Sequence, residues 1–392
     1  MSTTPNIKSE LPKLTNTVKS LAYKLGFDDV RITSALPFDY HREVTLKRID
    51  AGLMEGLDWY NRDRVNRGTN PESILPGARS IISLSLNYFV ETPQNKNDHV
   101  PTGKIAKYAW GHDYHKVMGK KLKLFIKELT SLLGRNFASK SYVDTGPMLD
   151  RSVAERSGLG WYGKHTNIIT AEYGSWVFLG QIITDLELSE DQPLKKNCGS
   201  CQICIVECPT QAIIAPYVLD NKRCISFLTI ESKGSIPKEL RGLMGDWVFG
   251  CDICQDVCPV NHQVQPTKEP LFQPGEHGFN SLSLIPLLDI TQEEFDRQFK
   301  TSPIKRAKRI GLIRNVCIAL GNIGDIKAVE PLGRTLKHED PLIREHAAWA
   351  LSQIGTPRAF QLLANASVTE TDSELKTELI NLMSEKKDDY DR

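Results

Sequence analysis

The chain has 392 residues, 40% of them apolar and 25% charged, and a net charge of +1. This length exceeds one ordinary core and predicts about two or three structural units of globular composition. The near-zero charge excludes an overall basic field, so any affinity for nucleic acid must come from a local patch.

No apolar stretch approaches the roughly 20 residues of a bilayer span, and the opening "MSTTPNIKSELPKL" lacks the basic-then-apolar order of an export signal. A cytoplasmic protein without membrane contact is expected. Leu14, Val18, Leu21, Ala22 and Leu25 fall at helical spacing, and Gly26 supplies a stop. "ARSIISLSLNYF" (78–89) and "SWVFLGQIITD" (175–185) are rich in β-branched and aromatic residues at strand length, whereas "YHKVMGKKLKLFIKELTSLLG" (114–134) returns to helical spacing. Helices and strands therefore alternate to about residue 190, as in a layered α/β or α+β domain.

Within this part, "DYHKVMG" (113–119) misses by one residue the Asp-x-His-x-x-Gly pattern that presents a histidine to cobalt, so His115 is expected to be a surface or packing residue. No Gly-x-Gly-x-x-Gly follows a strand, which argues against a dinucleotide site. In "YVDTGPMLDRSVAERSGLGWYGKH" (142–165) a β-rich entry and a turn leave Asp144 at a strand end. Residue types alone allow either a site carboxylate there or a helix N-cap by Asp144 or Thr145, with Arg151 an ordinary surface cation in the second case.

From 190 to 265 cysteine, proline and polar turns replace the periodic runs, and eight of the nine cysteines lie between Cys198 and Cys258. In a reducing compartment such clustering points to metal and away from disulfides. Cys198, Cys201, Cys204 and Cys208-Pro209 have the bacterial ferredoxin spacing, in which three thiolates grip one cluster and the fourth reaches another. A second run, Cys251, Cys254 and Cys258-Pro259, has Val248 where its first cysteine would stand, and Cys224 makes up the missing thiolate. The crossover assigns Cys198, Cys201, Cys204 and Cys258 to one 4Fe-4S cluster, and Cys208, Cys224, Cys251 and Cys254 to the other. Zinc also uses two-residue gaps, but the third cysteine at that spacing and the paired Cys-Pro closures favour iron-sulfur.

Beyond about 280 strand patterns vanish, and "LIRNVCIALGNIGD" (312–325) recurs as "LIREHAAWALSQIGT" (342–356), as in stacked helix pairs. Cys317, inside the first copy, reads as a small buried hydrophobe. "KRAKRIGLIR" (305–314) holds five basic residues and no acid. Lys305, Arg306, Lys308, Arg309 and Arg314 therefore form either a phosphate-binding edge or a solvated helix face.

"VDTGPMLDR", "GLGWYGKH", the cysteine array and "RCISFLTIE" (223–231) together resemble the epoxyqueuosine reductases over most of the chain. The resemblance implies an α+β protein with an N-terminal α/β cobalamin-binding domain similar to reductive dehalogenases (1–189), a ferredoxin-like module with two 4Fe-4S clusters (190–275) and HEAT-like repeats (276–392). It implies reduction of epoxyqueuosine to queuosine in the anticodon loop of tRNA, with cobalamin as the second cofactor. Asp144 becomes the expected proton donor, near the corrin with Arg151. By position in the matching motifs, Arg67, Tyr108, His165, Ile168 and Ser226 are further corrin contacts, and the basic run becomes an anticodon-stem contact.

A loop base must be splayed out to reach a buried cobalt, and Trp110, Trp161 and Tyr162 offer stacking surfaces unless they are core aromatics. A separate electron donor and a monomeric chain are expected. A reductive dehalogenase acting on a small molecule is a competing reading, although such enzymes usually carry export signals and need no basic helical repeats. A dicluster electron carrier would explain the cysteines but leave most of the chain without a task.

Overall fold

The computed structural model describes residues 7–91, 100–274 and 280–385. They form two compact units, each assembled from separate stretches of chain. The first takes the described parts of Met1–Glu91, His112–Lys222 and Ile253–Gln273, and the second those of Thr92–Gly111, Arg223–Asp252 and Pro274–Arg392.

The first unit is built on four strands, β1 (Asp29–Ser34), β2 (Ser80–Asn87), β3 (Ser139–Val143) and β4 (Val177–Thr184), in the spatial order β1-β2-β4-β3. All three pairings are antiparallel, with Ile32 opposite Ile82, Ile82 opposite Ile182, and Ser141 opposite Ile182. Every residue of β2 is buried, which explains why its sequence reads as a near-continuous apolar and small-residue run. Ile81, Ile82, Leu84, Ile182 and Ile183 are sealed from solvent, each removing apolar surface worth about 2 kcal/mol.

The expected helices are present as α1 (Ile7–Lys24) and the long α3 (Tyr114–Leu133), with the short α2 (Arg62–Gly68) between them in sequence and α4 (Asp150–Arg156) after β3. Helix α3 lies against β3 and β4, turning Val117, Met118, Leu122, Phe125 and Leu129 inward. Its first turn therefore stands beside the end of β3, where Asp144 follows Val143.

The second unit has a three-stranded sheet in the order Trp247–Phe249, Thr102–Ile105, Ser281–Ser283, followed by helices. Among these, Lys308–Ile323 packs on Pro341–Ile354, the two copies of the sequence repeat. Each copy ends on a left-handed glycine, Gly324 at φ 72° and Gly355 at φ 70°, a backbone that residues with a Cβ rarely adopt. Cys317 is completely buried in the first of them, and burial pushes its thiol up, as befits a small core hydrophobe. Among the described residues no helix is long and apolar enough to cross a membrane.

Candidate active site

Asp144 stands where the chain leaves β3. It caps no helix, because α4 begins six residues later with Leu149 at its N-cap. Both oxygens of its carboxylate are held by consecutive residues at the start of α3. Tyr114 donates its hydroxyl to Oδ2, and His115 Nε2 lies 2.6 Å from Oδ1. The other imidazole nitrogen, Nδ1, is 2.7 Å from Asp113, whose carboxylate also accepts the His115 backbone N–H as the N-cap of α3. Burial disfavours the imidazolium, but the bonds and charges of Asp113 and Asp144 push His115 up to about 9. His115 was expected to be a surface or packing residue; here it is the charged partner of the candidate proton donor.

The turn after Asp144 is braced from α2. Arg64 donates to the carbonyl oxygens of Thr145 and Gly146, and its guanidinium lies 4.7 Å from the centre of the Trp59 ring. A Cβ on Gly68 would fall 1.9 Å from Pro147 O, so only glycine lets α2 approach this closely. Beyond the turn Asp150 accepts a hydrogen bond from Gln181, while burial and then the charge of Asp144 push its carboxyl up to about 7. Two carboxyl groups that feel each other's charge thus sit in different surroundings, one half-exposed and one enclosed. Clusters of perturbed groups of this kind are a mark of acid-base sites.

In the same unit Cys198, Cys201, Cys204 and Cys258 line one small apolar pocket together with Lys164, His165, Ile169, Ile203 and Pro259. Burial, then the neighbouring Cys198, Cys258 and Cys201, push the Cys204 thiol up to about 11, and burial also raises Cys258. Four thiolates this close repel one another unless a polynuclear cation shares their charge, so this donor set fits an iron-sulfur cluster. Lys164 Nζ donates to Gly199 O and Cys201 O, both at 2.7 Å, and pins the loop that carries the first two cysteines. Of the other four cysteines of the array, Cys208 and Cys254 belong to the first unit, and Cys224 and Cys251 to the second. Cys208 Sγ accepts the Ala212 N–H at 3.3 Å.

Residues 197–261 match the family model described as a 4Fe-4S double cluster binding domain, 69–145 match "Epoxyqueuosine reductase QueG, DUF1730", and 307–384 match HEAT repeats. An epoxyqueuosine reductase from Cellulophaga algicola is 41% identical over 304 residues, which cover 78% of this chain and 97% of the relative. The chain belongs to the epoxyqueuosine reductase family. A crystal structure of an epoxyqueuosine reductase with an epoxyqueuosine-modified tRNA-Tyr stem loop is 33% identical, with a TM-score of 0.88 over 95% of this chain and 98% of that one. An epoxyqueuosine reductase from Bacillus subtilis, described with its catalytic aspartate loop swung out of the active site, is 32% identical with a TM-score of 0.88 over the same shares.

The residues that the epoxyqueuosine reductase resemblance implies as corrin contacts divide between the units. Arg67, Asp144, Arg151, His165 and Ile168 belong to the first, and Tyr108 and Ser226 to the second. Arg67 is exposed in the last turn of α2, and Arg151 is exposed in the first turn of α4. His165 is buried, and burial and then the Arg151 charge hold its imidazole down to about 4, so it is neutral at pH 7. Its Nδ1 accepts the Asn167 N–H, while Nε2 has no hydrogen-bond partner among the described residues. Ile168 is buried against Ala154 and Leu159. Tyr108 packs on Phe249 with ring centres 6.0 Å apart, and Ser226 is half-buried in the helix Ile225–Ile230.

One expectation for nucleic-acid contacts requires correction, and one alternative is resolved. Arg314 is fully buried, donating to Ser232 O, Gly234 O, Leu228 O and the Asn315 side chain. Its guanidinium holds backbone inside the second unit and is not offered to phosphate. Lys305, Arg306 and Lys308 are exposed, and Arg309 is partly so. Trp110 and Trp161 are likewise core aromatics. Trp110 donates Nε1 to Ile105 O, and Trp161 packs against Ile169 and Cys258 beside the thiolate pocket. Tyr162 is half-buried, with its hydroxyl 3.1 Å from that of Ser152.

Proposed function

We propose that this protein reduces the epoxide of epoxyqueuosine at the wobble position of tRNA, giving queuosine, with electrons passing through two 4Fe-4S clusters to cobalamin. The observation that carries the reading is the Asp144 carboxylate at the end of β3, held through both oxygens by Tyr114 and His115 in the unit that gathers four cysteines around one pocket. Membership of the epoxyqueuosine reductase family and the tRNA stem loop bound by a related protein support the substrate.

In this reading Cys198, Cys201, Cys204 and Cys258 hold one cluster, and Cys208, Cys224, Cys251 and Cys254 the other. Arg67, Tyr108, Asp144, Arg151, His165, Ile168 and Ser226 hold the corrin. The buried, unpartnered Nε2 of His165 and the exposed guanidinium groups of Arg67 and Arg151 fit a cofactor rich in amide groups and carrying one phosphodiester. When bound, cobalamin supplies a reduced, strongly nucleophilic cobalt, fed with single electrons by the clusters. Converting an epoxide to an alkene and water consumes two electrons and two protons by the stoichiometry of the reaction. Asp144 delivers protons to the departing oxygen, and Arg151 adds a positive charge close to Asp150 and His165.

Residues 1–189 form the cobalamin-binding catalytic part, 190–275 the two-cluster part and 276–392 the helical repeats. Lys305, Arg306, Lys308 and Arg309 meet the phosphates of the anticodon stem. The protein works in the cytoplasm as a monomer and takes its electrons from a separate donor. The test is anaerobic reconstitution with iron, sulfide and cobalamin, followed by a chemical reductant and tRNA carrying epoxyqueuosine. Nucleoside analysis is expected to show queuosine. Its absence from a preparation that contains both clusters and the corrin would overturn the reading.

A further inference from the structure

The proton demand of the reaction exceeds what one carboxyl group holds. Opening the epoxide and expelling its oxygen as water takes two protons per two electrons, and a single carboxyl carries one. Asp144 must therefore be reloaded within each turnover. The structure assigns the reloading to His115, which is hydrogen-bonded to Asp113 through Nδ1 and ion-paired with Asp144 through Nε2. This inference rests on the reading of Asp144 as the proton donor.

The geometry is that of a relay. Nδ1 of the imidazole is hydrogen-bonded to Asp113 Oδ1 at 2.7 Å, and Nε2 lies 2.6 Å from Asp144 Oδ1 as an ion pair without hydrogen-bond alignment at rest. Packing holds the ring as well: Tyr114 stacks on it at 4.1 Å and is itself stacked on Phe178 of β4 at 4.2 Å, with the latter two planes only 2° apart. The side chains of His115 and Asp113 are about one quarter exposed, at 26% and 25%, so water can return a proton to the imidazole. At neutral pH the imidazole is the cation, since two carboxylates outweigh the cost of burial. Lys116 also acts on Asp113, and Asp150 acts on Asp144 from α4, so these two titratable groups flank the relay.

The transfer balances. Asp144 rests as the carboxylate beside the imidazolium; for each of the two protons it takes the Nε2 proton from His115, gives it to the substrate oxygen and is left as the carboxylate again. His115, neutral after each transfer, recovers a proton from water while Asp113 keeps the ring oriented. No further oxidant or reductant enters this step. His115 touches Asp144 and not the substrate, so its role is that of a positioning and proton-supplying residue.

Four variants of the full chain test this, each reconstituted and checked for unchanged cluster and corrin absorption. Asp144→Ala is expected to abolish turnover. His115→Gln should lower turnover about 10- to 100-fold at pH 7 and remove the alkaline limb of the pH profile. In the wild type that limb falls near pH 9, where the imidazolium loses its proton. Asp113→Asn, which removes one carboxylate from the imidazolium, should move the limb down by about one pH unit. His115→Ala should regain turnover with added imidazole.

Histidine titration by NMR in the unloaded full chain supplies a readout free of activity, with the His115 resonance moving to lower pH in Asp113→Asn. Wild-type turnover in Asp144→Ala would overturn both the proton-donor reading and the relay. A dead Asp144→Ala variant, with His115→Gln matching the wild type in rate and pH profile, would overturn the relay alone. An alkaline limb unmoved in Asp113→Asn would count against it in the same way.

Discussion

Replacing Arg314 by methionine separates a structural cation from a nucleic-acid contact. The guanidinium donates to three backbone carbonyl oxygens, at 2.8 Å to Ser232, 2.8 Å to Gly234 and 2.6 Å to Leu228. Methionine retains most of the aliphatic volume, so the loss falls on these acceptors, each costing about 2 kcal/mol when buried without a donor, or about 6 kcal/mol together. Against this, burial and then the repulsion of Arg241 hold the Arg314 pKa down to about 10 from 12.5. A depression of this size means that keeping the cation charged at pH 7 costs about 3 kcal/mol, which the neutral side chain returns.

The net expectation is a destabilisation of about 3 kcal/mol, or roughly 6 to 12 °C in Tm for a unit of this size. Thermal unfolding followed by circular dichroism measures it, and tRNA affinity is then measured well below the transition. We expect a lowered Tm with affinity preserved in the folded fraction. An unchanged Tm with weakened, less salt-dependent tRNA binding would refute the reasoning and return Arg314 to the phosphate-binding edge.

Charge reversal at the exposed Lys305 and Arg306 should do the opposite: tRNA binding weakens and the slope of log affinity against log salt shrinks by about one per lost phosphate contact, while Tm hardly changes because the surface Arg306–Glu231 pair contributes little. Gly68→Ala forces a methyl group against Pro147 O, so it should displace the Asp144 turn and lower turnover while cluster absorption is retained. The Asp150 carboxyl is raised from 3.8 to about 7, so the folded state binds its proton more tightly than the unfolded state does. Its burial therefore lowers stability progressively as pH rises from about 4 to about 7, and the deficit stays constant above that. Asp150→Asn should raise Tm relative to the wild type more at pH 8 than at pH 5, and an equal difference at both would show that the carboxyl is not held protonated.

Much of the architecture was legible because the relevant patterns are local. The strand runs at 78–89 and 175–185 and the helix at 114–134 appear close to their expected bounds, since pleat and helix periodicity both repeat within a few residues. The helical repeat was legible for the same reason. The position of Asp144 beyond a strand was also readable, from the β-rich residues before it and the Thr-Gly-Pro that follows. Its partners were not: along the helix that carries His115 nothing signals a carboxylate some thirty residues away. Arg64 gives no local sign that it grips the turn after Asp144, and Arg314 looks like its exposed neighbours in a basic run until the packing around it is known.

The amino-acid sequence by itself marked the cysteine array as an iron-sulfur domain, because iron-sulfur ligation depends on thiolate spacing over a few residues of chain. It also determined the helical repeat, because each copy must bury its own apolar face. Tertiary structure alone decided what surrounds Asp144 and which cations remain exposed. The order β1-β2-β4-β3 brings the end of β3 to the first turn of α3, and the pairing of Asp144 with His115 exists only once that sheet and helix have packed. Burial separates Arg314 from Lys305 and Arg306 for the same reason, since a residue type states a charge and only the packed fold states whether water reaches it.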